Sequence, residues 1–175
     1  MRFVAALSAL TFFCFLAVPV FAATHTGPEE LQLTVPDDWS IPKGPPGAFG
    51  AKSPDGEFGV FMSAIPAPVA TIKEGVKAFE AQIRALMKDA KMDKGKDRKH
   101  NGLETHWMSG KGTLPADPPE KATFGAVIIK APTGKIVLVM AMGKEAAFGK
   151  NKAALLGIFE SLKPAKSGKK KPAKK

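Results

Sequence analysis

Cysteine is almost missing from this chain: Cys14 is the single one among 175 residues. One thiol cannot build an internal disulfide, a Cys-based zinc site or an iron–sulfur cluster. Long apolar runs are equally scarce. Phe3 to Val18 is the one extended stretch, and a membrane-spanning helix needs about 20 such residues. Acidic residues are outnumbered, 16 Asp+Glu against 26 Lys+Arg, for a formal net charge of +10. The 45% hydrophobic and 24% charged content is ordinary globular usage, which excludes wholesale disorder and a polytopic membrane protein. The length suits one core rather than two.

Catalytic signatures are missing as well. The serines form no G-x-S-x-G elbow and no supported Ser-x-x-Lys arrangement. Gly110-Lys111-Gly112 lacks the rest of a phosphate loop or dinucleotide fingerprint. Asp37, Asp38 and Asp117 stand beside proline or in loops, where aspartate forms turns. No EF-hand spacing occurs. No catalytic residue, cofactor or metal site is therefore expected.

What is present at the N-terminus is an address. Arg2 is a short positive region, the apolar run follows and ends at Pro19, and Val20-Phe21-Ala22 sets small residues for a cut between Ala22 and Ala23. Residues 1–22 are expected to be a cleaved signal peptide, so the protein is expected to be secreted or periplasmic, with no membrane span after cleavage. An uncleaved anchor is the rival reading, but the run is short for a span. Cys14 lies inside the run without a lipobox-like context.

At the other end, residues 163–175 read KPAKSGKKKPAKK. With seven lysines and no large apolar residue this segment is expected to be a disordered Lys-rich tail. Without leader and tail, residues 23–162 hold 18 basic and 16 acidic residues, a net of +2, so the high charge belongs mostly to the tail. Inside the domain the basic residues concentrate between Lys88 and Lys99.

Residues 23–162 read as one α+β domain. Leu31, Leu33 and Val35 alternate as a strand, and a Pro/Gly loop follows at 41–47. Ser53-Pro54-Asp55-Gly56 turns a hairpin whose second strand looks covered on both faces. Ile72, Val76, Phe79, Ile83, Leu86 and Ala90 space a helix over 72–91, started by the Thr71/Glu74 capping box. Asn101-Gly102 predicts a type I′ hairpin. A third hairpin turns at Pro132-Thr133-Gly134 into IVLVMAM, a strand apolar on both faces and therefore central. A last helix spans roughly Asn151 to Leu162 before Pro164. The sum is a mostly antiparallel sheet with two main helices, an α/β/α sandwich.

Residue order carries a resemblance. The strand entering "VPDDW", the "SPDGEFGVFMSAI" hairpin, the first helix, the strand opening "NGLETHW" and the last helix ending "FESLKP" resemble the Mog1/PsbP/DcrB-like superfamily over about residues 31–164. The resemblance implies a non-enzymatic binding or accessory module. Its members include a photosystem extrinsic subunit, a Ran-binding nuclear factor, envelope proteins and chaperones that shield hydrophobic segments. The chain departs from the chaperones by its leader and from lipoprotein members by lacking an attachment cysteine.

The turn at Asn101-Gly102 sets a register that decides the histidines. Residue 100 faces 103, 99 faces 104 and 97 faces 106, so His100 and His106 leave opposite sides of the sheet and cannot share a metal. His25 is expected in a mobile N-terminus. Six methionines follow the leader without a tight cluster, which favours core packing over copper binding. The long Pro-rich loops 36–47 and 115–120 are the expected contact surfaces for a protein partner, with Trp39, Pro45, Pro46 and Asp117 as contacts, although Trp39 also suits a core. The alternative is a polyanion or membrane-surface binder acting through Lys169, Lys170, Lys171, Lys174 and Lys175, whose flexible ammonium groups contact anionic polymers or lipid head groups as point charges. Nucleic acid is disfavoured, because no aromatic residue interleaves the tail. An immunity or chaperone-type protein and a small hydrolase complete the readings.

Overall fold

The structure is a computed structural model in which residues 22–165 are described. The expected signal peptide up to Phe21 and the tail lysines Lys169, Lys170, Lys171, Lys174 and Lys175 lie outside the described residues. Strand β1 (Ala22–Thr26) pairs with β2 (Leu31–Pro36), and β2 pairs on its other side with β10 (Lys163–Pro164). The main sheet runs β3 (Ala48–Lys52), β4 (Phe58–Ala64), β9 (Ile136–Lys144), β8 (Glu120–Lys130), β7 (Leu103–Leu114), β5 (Lys88–Met92), and β6 (Lys96–His100) also pairs with β7. All of these pairings are antiparallel.

Alternation along the central strands creates two cores. Val127, Ile129, Val137, Val139 and Ala141 point to one face, where α2 (Glu145–Glu160) and the small sheet cover them. Phe124, Ala126, Ile128, Ile136 and Leu138 point to the other, under α1 (Ile72–Leu86). Each face needs its own cover because neither side chain set can reach water favourably. The expected α/β/α sandwich of α+β class is thus present. Met62, Met87 and Met108 are buried in these cores.

Helix α1 starts as its sequence directs. Thr71 Oγ1 accepts from the Glu74 N–H at 3.2 Å, and Glu74 accepts from the Thr71 N–H at 3.0 Å. Its end differs from expectation. The helix stops at Leu86 rather than 91, because Lys88 to Met92 pairs with β7 through a bulge, with Asp89 at φ 53. Ala90 meets the same core as it would from a helix, so spacing alone does not separate the two. Helix α2 begins at Glu145, earlier than Asn151, and places Ala147 in the core.

Two further expectations are corrected. His25 is not in a mobile segment: β1 pairs it with Leu33 of β2, and its ring lies 5.3 Å from that of Phe49. The second face of β4 is not covered, since α1 lies over β7, β8 and β9, and Phe61 stays 49% exposed. Past residue 162 the chain still pairs: Lys163 and Pro164 add to β2, and the Ala165 N–H bonds to the Glu30 carbonyl at 2.6 Å.

Candidate functional site: a basic groove beside the second helix

Helix α2 covers β2, β4, β8 and β9 but not the outer half of the sheet. On that face β7 therefore presents Trp107, Ser109 and Lys111 to an open-sided groove of about 830 Å³. The floor continues through Gly125 and Val127 of β8, and Phe148, Leu155, Leu156 and Phe159 of α2 form an apolar wall. Phe148 is 37% and Leu156 48% exposed, although both are large and apolar. Opposite stands the β5–β6 connection, Asp93 to Gly95, turning with Gly95 at φ +63.

The groove's charge comes from strand alternation. The Asn101-Gly102 turn has φ values of 47 and 82, as a type I′ turn requires, and the register is the expected one, His100 with Leu103, Lys99 with Glu104 and Asp97 with His106. Consequently the hairpin sorts its charges. Asp97, Lys99, Glu104 and His106 face the α1 side, and Lys96 and Arg98 face the groove. Lys91 of β5 lies directly opposite Lys111 of β7, also on this side. Like charges placed opposite one another destabilise a sheet pair. Asp93 is the one carboxylate among the groove's lining residues, and it already accepts from the Ser109 hydroxyl at 2.6 Å. Glu145 reaches Lys111 at 3.5 Å from outside the lining, between exposed side chains. Lys91, Lys94, Lys96, Arg98 and Lys152 take part in no ion pair among the described residues.

Trp107 is fixed within this setting. Its indole N–H donates to Thr105 Oγ1 at 2.8 Å, and the Thr105 hydroxyl donates to the Arg98 carbonyl at 2.9 Å. The Arg98 guanidinium sits 4.9 Å above the ring, a cation–π contact. His100 and Phe159 meet the same ring in edge-on packing at 5.5 and 5.8 Å.

The histidines do hold separate places. His106 Nδ1 lies 2.7 Å from Asp97 on the α1 side. His100 Nε2 lies 3.0 Å from the Glu160 carbonyl, and Asn101 Nδ2 donates to the carbonyls of Glu160 and Leu162, so the hairpin tip holds the C-terminus of α2. Among the described residues no three His, Asp or Glu side chains group as a metal would require.

The expected contact residues fare unevenly. Trp39 is 6% exposed and belongs to the core over α2. Its N–H bonds to the Pro36 carbonyl at 3.0 Å, which folds the chain back and leads the ring inward, so it is not part of an accessible contact surface. Pro45 and Pro46 are exposed in the 41–47 loop. Asp117 is exposed before a cis bond to Pro118, beside a separate pocket of about 670 Å³. There Lys144 holds Glu120 at 3.0 Å and Glu57 at 3.6 Å, and the Glu120 hydrogen bond raises the lysine's pKa above its usual value. The structure does not bring these loop residues into the groove. Lys152, Phe148 and Leu156 were missed by sequence reasoning. Leu156 could have been found, because it is apolar yet lies off the stripe Leu155, Ile158, Phe159, Leu162.

No protein-family model matches the chain, and no curated protein matches it. Solved structures do. LpqN, involved in cell envelope biogenesis of Mycobacterium tuberculosis, is similar with a TM-score of 0.57 at 14% identity, over 85% of this chain and 86% of LpqN. Cyanobacterial PsbP (CyanoP) of Synechocystis sp. PCC 6803 is similar with a TM-score of 0.54 at 12% identity, over 87% of this chain and 97% of its own. The Saccharomyces cerevisiae Ran-binding protein Mog1p is similar with a TM-score of 0.52 at 9% identity, over 78% and 90%. The likeness spans the whole domain and is one of fold: the chain has a Mog1/PsbP-like fold.

Proposed function

We propose that this protein is a non-enzymatic accessory protein, secreted or periplasmic, that engages a protein partner through the groove beside α2. The observation that carries the reading is the exposure of Phe148 and Leu156 along one wall of a groove floored by Trp107. Large apolar side chains clustered in a concave surface are unfavourable in water unless something covers them, and aromatic residues dominate binding energy at interfaces. The fold adds support, since Mog1p is a Ran-binding protein and LpqN is involved in cell envelope biogenesis. Titratable groups support it too. The carboxylates with shifted pKa values, Glu29, Asp55 and Glu74, are all held more acidic than usual by hydrogen bonds, none toward the neutral form a general acid would need.

Secretion rests on the leader. A cut between Ala22 and Ala23 removes a single exposed residue from β1 and leaves the remaining pairs with β2 in place. The test is photo-cross-linking in the native host from position 94, in the groove, and from position 73, on the α1 side. The expected result is a discrete cross-linked product from position 94 alone, in an envelope or secreted fraction whose chain begins at Ala23. Equal products from both positions, or recovery of the intact leader in the cytoplasm, would overturn the reading.

A further inference from the structure

We infer that the groove takes an acidic, amphipathic peptide segment of its partner, one in which Asp or Glu residues flank large apolar side chains. This deepens the partner-binding reading above and rests on it. The first argument is charge complementarity. Six basic side chains line or rim the groove against one carboxylate, and that carboxylate is bonded to Ser109. The charge is not diffuse surface positivity. The β6–β7 hairpin places its own carboxylates, Asp97 and Glu104, on the opposite face, and β5 and β7 set Lys91 against Lys111. An arrangement that costs stability in the free protein becomes favourable once carboxylates stand between the two ammonium groups.

The second argument is the apolar wall. A simple polyanion would meet the lysines but leave Phe148 and Leu156 in water. Side chains such as Leu or Phe on the bound segment would cover both, and flanking carboxylates would reach the rim. A nucleic acid fits poorly, because sequence-tolerant binding of single strands uses free aromatic faces. Arg98 already lies over a face of Trp107, with His100 and Phe159 packed against the ring, and the exposed Phe148 alone gives no succession of rings on which bases could stack. An acyl chain fits poorly in a groove open along its side, where much of its length would stay wet.

The test uses the full chain as recovered after export, with fluorescently labelled peptides followed by anisotropy. One probe is Glu-Asp-Phe-Glu-Leu-Asp-Glu. A second replaces its Phe and Leu by Ser, and a third replaces its acids by Lys. The first probe is expected to bind at least about tenfold more tightly than the others and to weaken as salt rises. The pair Lys96→Glu with Arg98→Glu, and separately Leu156→Ser, should each weaken it by about tenfold. Lys73→Glu with Lys99→Glu carries the same charge change on the other face and should leave it unaltered. Equal binding of the first two probes would overturn the inference in favour of charge alone. Equal weakening by the two double variants, or no weakening by Leu156→Ser, would overturn it as well. Displacement of the first probe by anionic phospholipid vesicles or a single-stranded oligonucleotide more readily than by unlabelled peptide would also sink it. Preferred binding of the Lys probe, lost in Leu156→Ser, would overturn the acidic segment yet leave the groove a docking site. Absence of groove-dependent binding by any probe, together with no product from position 94, would remove both readings.

Discussion

Ser53 shows how much one small side chain can hold. It is buried, its hydroxyl lies 2.5 Å from Asp55 Oδ1, and its oxygen accepts from the Phe58 N–H at 3.0 Å. That hydrogen bond to Ser53 holds the Asp55 carboxyl below its usual pKa, helped by the Glu57 N–H. Lys135 and then Thr133 do the same for Glu29, and the Ala70 and Thr71 N–H groups with the Thr71 side chain do it for Glu74. All three carboxyls are more acidic folded than unfolded, so the unfolded chain binds more protons in acid. Their contribution is therefore complete above the ordinary carboxylate range and lost as pH falls through the lower folded values. The melting temperature should fall as the pH is lowered through about 4. Ser53→Ala leaves the buried Phe58 N–H unpaired and should cost about 1–2 kcal/mol at neutral pH, with a shallower acid limb. A melting temperature that rises on acidification would refute the sign. The turn around Ser53 was readable, because Ser-Pro-Asp-Gly names its own backbone preferences. The inward path of Trp39 was not, since exposure after a Pro-Asp-Asp bend depends on which sheet lies beneath.

The helices illustrate at the scale of elements what pattern can and cannot decide. Both contain glycine, and the same Gly→Ala change should have opposite effects. A Cβ on Gly75 of α1 would stand 2.9 Å from Ile136 Cγ2 and 3.0 Å from Ile128 Cγ2, so the helix rides close on β8 and β9 through that residue. Gly75→Ala gains helix propensity of about 1 kcal/mol but overpacks the core by about 1–3 kcal/mol. It should be destabilising on balance. Gly149 of α2 has nothing within 4 Å of such a Cβ, so Gly149→Ala should stabilise by about 0.5–1 kcal/mol. Urea unfolding of the two variants checks both signs, and stabilisation by Gly75→Ala would refute the close approach. The start of α1 was legible from Thr71 and Glu74 because capping is local chemistry. Its end was not. Leu86 and Ala90 keep helical spacing, but hydrogen bonding to β7 takes Lys88 to Met92 into the sheet. The groove was half legible for the same reason. The hairpin register that separates His100 from His106 also places Lys96, Arg98 and Trp107 on one face. Only the three-dimensional structure shows that α2 touches Trp107 through Phe159 yet leaves the groove beside it open.

For the molecule as a whole, the two cores are the two sides of the same strands. Val127 and Ile129 serve one core and Ala126 and Ile128 the other, all from β8. Strand β9 divides in the same way, with Val137 and Val139 opposite Ile136 and Leu138. The apolar run IVLVMAM announced this arrangement, since a strand wet on one face would alternate with polar residues. Neither core can be lost without exposing the strands that build the other, so the domain should unfold in one cooperative step. The tryptophans make this testable, because Trp39 and Trp107 both belong to the core on the α2 side. Phe79 lies on the α1 side, 1% exposed and packed edge-on against Phe124 at 5.7 Å. Phe79→Ala removes an aromatic ring from that core and should cost about 3–5 kcal/mol. If the sheet couples the cores, tryptophan fluorescence and far-UV circular dichroism will report the same lowered midpoint, although no tryptophan touches the altered core. A circular dichroism transition that shifts while the fluorescence transition stays in place would show two units that unfold separately. The groove would then sit on a unit whose stability owes nothing to α1.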